Sequence, residues 1–152
     1  MPVDLTYYIF EGVLTGILNG QMIHMIAVPG GGGGSTLHRT AMSMNNPYME
    51  GLKTRGAGRY HVHGGPLPLG EYAICKPARH HHLGLSARLV PASRTPPMGR
   101  DGFYIHGTGP HGSDGCIVPT DKTDFHRLMD MLTKAGGGSL FVAETMDLSR
   151  FA

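Results

Sequence analysis

The chain has 152 residues, enough for one domain, expected over 1–152, with a hydrophobic core that needs no staples. Hydrophobic residues make up 40% and charged residues 16%, the balance of a globular protein rather than a disordered one. The formal charge of +2 is too small to argue for nucleic acid or an anionic membrane surface, so neither is expected as a partner.

Glycine (24 residues) and proline (11) are abundant, which favours short elements joined by turns over long helices. The stretch from Met1 to Tyr8 lacks a basic segment followed by an apolar one, so no secretory signal is expected. No apolar run approaches the roughly 18 residues of a membrane span, so no membrane insertion is expected.

In chain order, Tyr7-Tyr-Ile-Phe10 is aromatic and β-branched and reads as a first strand. Leu14 to Leu18 and Gln21 to Val28 flank Asn19-Gly20, a pair that tolerates the positive φ angles of a type I′ hairpin turn. The opening third is therefore predicted to be an antiparallel meander. Pro29 and the glycines Gly30 to Gly34 end it in a loop. That loop lacks the lysine of a phosphate-binding loop, and no helical pattern follows it.

Asn45-Asn46-Pro47 predicts a turn, and Gly65-Pro-Leu-Pro-Leu-Gly70 a rigid turn feeding a strand over Glu71 to Cys75. Leu85 to Val90 and Phe103 to Ile105 predict two more strands. Phe125, Leu128, Met129 and Leu132 recur at helical spacing after a capping Thr120 or Asp121, and Gly136 to Gly138 end that helix. Ser139 to Ala143 predicts a closing strand. The sum is a mostly β fold, about seven strands with one α-helix near the C-terminus.

The segment His106-Gly107-Thr-Gly-Pro-His111-Gly-Ser113-Asp114-Gly115-Cys116 carries the chemistry. A cysteine becomes a nucleophile when a base or cation favours its thiolate, and His106 follows a strand that would fix its place. Gly107 lets the chain turn away from the imidazole. Gly115 leaves backbone amides uncluttered beside the thiol, where they could face a developing oxyanion. A backbone carbonyl of the loop 107–112, or Asp114, could orient the ring through Nδ1. His111 reads either as a second cationic neighbour of the thiolate or as a solvated loop residue. The polar turn over 112–115 is expected to expose Cys116, against the alternative of a core thiol.

Other features are blander. Cys75 reads as a small apolar residue on a half-buried strand, and two cysteines do not make a disulfide scaffold. His80-His81-His82 and His61-x-His63 look like metal-binding tracts, but adjacent ring nitrogens rarely converge on one ion and no zinc spacing surrounds them. No metal and no cofactor are expected. A papain-like protease is disfavoured, because there the cysteine precedes the histidine.

Gly65-Pro-Leu-Pro-Leu-Gly-Glu-Tyr-Ala-Ile74 resembles the turn and strand of the L,D-transpeptidase (YkuD-like) catalytic domain. Tyr104-Ile-His-Gly-Thr108 resembles its histidine strand, and Ser113-Asp-Gly-Cys-Ile117 its nucleophile motif. The likeness spans about residues 60–145. The short gap from His106 to Cys116 and the glycine-rich front half look like the DUF2778 branch, similar to Tlde-type effectors of bacterial type VI secretion. This resemblance implies a β-sandwich whose cysteine attacks the L,D bond of a peptidoglycan stem tetrapeptide, between meso-diaminopimelate and D-alanine. It implies Cys116 as nucleophile, His106 as base, and Ser113 and Gly115 as the oxyanion turn. The acyl-enzyme would pass to water or to a D-amino acid.

The resemblance further implies action in the periplasm of a target bacterium and a cognate immunity protein as partner. Two departures stand out. Asp114 occupies a position usually held by histidine, and Val118-Pro119 follow where the family carries a basic or amide residue. Arg79, Arg88 and Arg100 are the candidates to grip substrate in its place.

Overall fold

A computed structural model describes residues 3–29, 67, 69–80, 83–92, 103–107 and 116–146. Nine strands and one helix occupy them: β1 (Leu5–Tyr8), β2 (Val13–Leu18), β3 (Gln21–Pro29), β4 (Gly70–Ile74), β5 (Ala78–His80), β6 (Gly84–Pro91), β7 (Phe103–His106), β8 (Ile117–Pro119), α1 (Lys122–Ala135) and β9 (Gly138–Ala143). The mostly β fold with one helix near the C-terminus is the one expected from the sequence.

The strands run β4-β9-β1-β2-β3-β8-β7-β6-β5, and β4 also pairs with β6. The sheet therefore curls back on itself, and its two halves face each other across a shared core. β6 makes this possible by dividing one edge: Ser86 pairs with Ala78 of β5, while Leu89 to Pro91 pair with β4. Closure leaves few unpaired edges.

The opening hairpin forms as its sequence dictates. Asn19 has φ of 52° and Gly20 of 78°, so both central residues of the turn are left-handed. β1, β2 and β3 are antiparallel neighbours. The first strand begins at Leu5 rather than Tyr7, because pairing on both sides decides its extent: β1 also lies parallel to β9, Leu5 beside Leu140. Asp4 secures that seam. Its amide donates to Ser139 Oγ at 2.9 Å, and its Oδ2 accepts from the Ser139 amide at 3.0 Å.

Alternating side chains fill the interior. Leu5, Tyr7, Leu14, Ile23, Leu67, Ile105, Leu140 and Val142 are buried completely. Tyr7 reaches from β1 past β2, and its hydroxyl donates to the Ala27 carbonyl at 2.8 Å. Burial pushes its phenol up, so it stays a neutral donor.

Helix α1 packs against β2, β6 and β8. Asp121 caps it by accepting from the Thr123 amide at 2.8 Å, and Gly136 closes it in the left-handed conformation. The four apolar residues read as one stripe are all buried, with Met131 beside them. Cys75 corrects the sequence reading. It sits one residue past β4, is exposed, and donates its amide to the Arg88 carbonyl. The reason is the pleat itself: buried Tyr72 and Ile74 alternate with exposed Glu71 and Ala73, and Cys75 continues the exposed face.

Gly16 has positive φ and faces Leu5, and a Cβ there would collide with the Asp4 carbonyl oxygen. Gly16→Ala is expected to destabilise by about 2–3 kcal/mol, a fall in Tm of roughly 5–10 °C by calorimetry. Gly20→Ala, in open space at the hairpin, should cost only about 1 kcal/mol.

Candidate active site

β7 ends at His106, and β8 begins one residue after Cys116. The two strands are parallel neighbours with Ile105 beside Ile117. Continuing that register by one residue sets Cys116 beside Tyr104. The Tyr104 amide accordingly donates to Cys116 Sγ at 3.3 Å. The sulfur takes a place where a carbonyl oxygen would otherwise continue the ladder. His106 lies two residues further along β7, roughly 7 Å at the usual rise per residue. One strand pairing therefore brings thiol and imidazole within a single pleat repeat.

The expectation of an exposed thiol is corrected. Cys116 is only 2% exposed, because its sulfur lies against the neighbouring strand rather than above a turn. Both cysteines are free thiols.

His106 is 4% exposed. Its Nδ1 lies 2.8 Å from the Gly107 carbonyl oxygen, which can only accept, so Nδ1 carries the hydrogen. The neutral ring then has its lone pair at Nε2. Of the two orienting groups the sequence left open, the one found is this backbone carbonyl. Burial holds the imidazole below its usual value, and the hydrogen bond to Gly107 partly offsets that. A buried base that stays neutral near pH 7, in one fixed tautomer, can accept a proton from a thiol.

Gly107, expected in the oxyanion or substrate turn, follows β7 directly and contributes its carbonyl to the His106 ring. The remaining residues predicted for that turn, His111, Ser113, Asp114 and Gly115, lie outside the described residues. So do His61, His63, His81, His82, Arg100 and the glycines Gly30 to Gly34. Arg88 is exposed and pairs across the sheet with Tyr104.

Sequence reasoning missed three contributors. Tyr104 supplies the amide at the sulfur. Ser86 is fully buried and pairs with His106 across β6 and β7. His80, read only as part of a histidine tract, lies on β5 with Nδ1 2.7 Å from Ser86 Oγ and its ring 4.8 Å from that of Tyr104. The Ser86 hydroxyl also reaches the Gly84 carbonyl at 3.2 Å. His80, Ser86 and Tyr104 thus form a packed polar group beside the dyad. Ser86 interrupts an apolar strand, which is a visible signal, but its partner was not legible without the register.

No protein-family profile matches the chain, and no curated protein matches it. Among solved structures it is similar to L,D-transpeptidase 3 from Mycobacterium tuberculosis, in two crystal structures. One, in complex with a faropenem-derived adduct, is 13% identical with a TM-score of 0.45, covering 93% of this chain and 60% of that one. The other, at 1.32 Å resolution, is 14% identical with the same TM-score, covering 93% and 61%. The chain spans about 60% of the length of these proteins.

The buried imidazole makes stability depend on pH. Unfolding returns His106 to its ordinary value of 6.5, so below that pH the unfolded chain binds the extra proton. Stability is expected to fall as pH drops from 6.5 through the lower folded value. Denaturant midpoints between about pH 8 and 5 test this, and His106→Gln should flatten the dependence in that window. An NMR titration of the ring should show its midpoint below the usual imidazole range.

Proposed function

We propose that the chain is a cysteine-dependent L,D-peptidase acting on peptidoglycan stem tetrapeptides, as carboxypeptidase or as exchanger of the terminal D-amino acid. The observation that carries this reading is the strand pairing that sets Cys116 one pleat from His106, whose tautomer leaves Nε2 as the proton acceptor. The motif resemblance around His106 and Cys116 supplies the substrate class.

His106 Nε2 takes the thiol proton, and the sulfur attacks the carbonyl carbon between meso-diaminopimelate and D-alanine. The carbonyl electrons move to oxygen, where amides of the Ser113 to Gly115 turn would face the charge. Collapse breaks the C–N bond, and the imidazolium returns the proton to the leaving D-alanine nitrogen. Water or a free D-amino acid then attacks the thioester, with His106 again as base. Val118 and Pro119 stand where the family carries a polar residue, which favours hydrolysis or exchange over crosslinking. The same resemblance extends the proposal to an antibacterial type VI effector working in a target periplasm, bound in the producer by an immunity protein. Co-purification with a neighbour-encoded protein tests that extension.

The burial of Cys116 favours a second reading, a domain that binds cell-wall peptide without turning it over. Mass spectrometry of tetrapeptide muropeptides, with and without added D-amino acid, separates the two. Loss or replacement of the terminal D-alanine is expected, abolished by Cys116→Ala and slowed about 10²–10⁴-fold in kcat by His106→Gln. No change in the muropeptides by the unaltered protein would move the assignment to the binding domain.

A further inference from the structure

Gly107, which follows the dyad histidine, borders a cleft of about 380 Å³. Its walls combine two kinds of surface. Leu83, Leu85, Pro119 and Phe125 supply apolar area. Arg79 from β5, and Lys122 and His126 from the start of α1, supply nitrogen donors.

Among the described residues, no acidic side chain lines the cleft. Asp121 is turned to the helix, where it accepts from the Thr123 amide. Among the described residues, the side chains of Arg79 and Lys122 form neither an ion pair nor a hydrogen bond. His126 is held edge-on by the Phe125 ring, with centroids 5.4 Å apart. Cations at a protein surface ordinarily spread out or pair with acids, since like charges on one wall repel. Two uncompensated cations and an imidazole around one partly apolar cleft describe a receptor for an organic anion.

We infer that this cleft is the subsite for the C-terminal carboxylate of the donor peptide. The guanidinium of Arg79 has the planar fork that matches a carboxylate, and Lys122 adds a point charge. The apolar walls suit a short aliphatic residue, and the volume suits one or two residues rather than a long chain. Position supplies the link to chemistry. Gly107 borders the cleft, and its carbonyl holds the His106 ring. An anion anchored there lies one residue from the base, where the departing D-amino acid carries its free carboxylate. The identity of the ligand rests on the peptidase reading above, whereas the preference for a carboxylate rests on the cleft alone. A Cβ on Gly107 would come within 3.3 Å of the Phe125 ring, so a larger residue there would press on that wall of the cleft.

The test uses the full chain carrying Cys116→Ala, with N-acetyl-D-alanine and N-acetyl-D-alaninamide as paired probes followed by NMR. The acid is expected to shift the signals of His126 and Lys122 in a saturable, salt-sensitive way, and the amide to bind at least about tenfold more weakly. Arg79→Gln and Lys122→Gln should each weaken the acid about tenfold and leave the amide unchanged. In the active chain, Arg79→Gln should raise KM for the tetrapeptide about tenfold with kcat within about threefold. Equal binding of acid and amide, or indifference to both substitutions, overturns the subsite. Turnover with an unaltered KM in Arg79→Gln overturns the subsite and leaves the peptidase. Carboxylate binding without any turnover by the unaltered protein keeps an anion site and overturns the peptidase.

Discussion

The parallel register that sets Ile105 beside Ile117 is the constraint on which the candidate site depends. Each residue of slippage would carry Cys116 past a different amide and turn alternate side chains to the other face. The register is held from both directions. Phe103, Ile105 and Ile117 are buried in the core, so any shift would move large apolar side chains out of it. On its other edge β8 pairs with β3, Val28 beside Val118. β8 leads within a few residues to the capped start of α1, whose Phe125 ring lies against Gly107. Thiol, base and helix are thus fixed by one short pair of strands.

Burial then sets the chemistry. A histidine in water titrates near neutral pH and samples both tautomers. His106 is withdrawn from solvent and its Nδ1 is held by the Gly107 carbonyl, which favours the neutral ring in one tautomer. The cost is borne in stability at acid pH rather than in geometry. Ser86 and His80 form the neighbouring wall, where a hydrogen bond between them and a second from Ser86 to the Gly84 carbonyl satisfy the buried hydroxyl.

Much of this was legible in the sequence, for local reasons. Asn19-Gly20 can do little but turn, the spacing of Phe125, Leu128, Met129 and Leu132 matches a helix, and His106 and Cys116 flank a glycine-rich segment. What was not legible is non-local. β5 and β8 are three residues each, too short to show a period, and exist because longer strands lie alongside. The parallel partnerships of β1 with β9 and β7 with β8 leave no mark on either sequence. The burial of Cys116 follows from one of them, and so could not be read from the turn that precedes it.

The position of β1 has a consequence for synthesis. It lies between β2 and β9, and its tie through Asp4 joins residues 135 apart in sequence. The opening hairpins can form as soon as they leave the ribosome, since their contacts are local. Yet one edge of β1 then presents unsatisfied amides and carbonyls until Leu140 and its neighbours arrive. For most of its elongation the nascent chain carries an open strand edge beside apolar side chains, a template for pairing with other chains. Foldability is therefore most exposed before the last strand is made, and truncations that remove β9 should yield aggregates rather than a smaller stable fold.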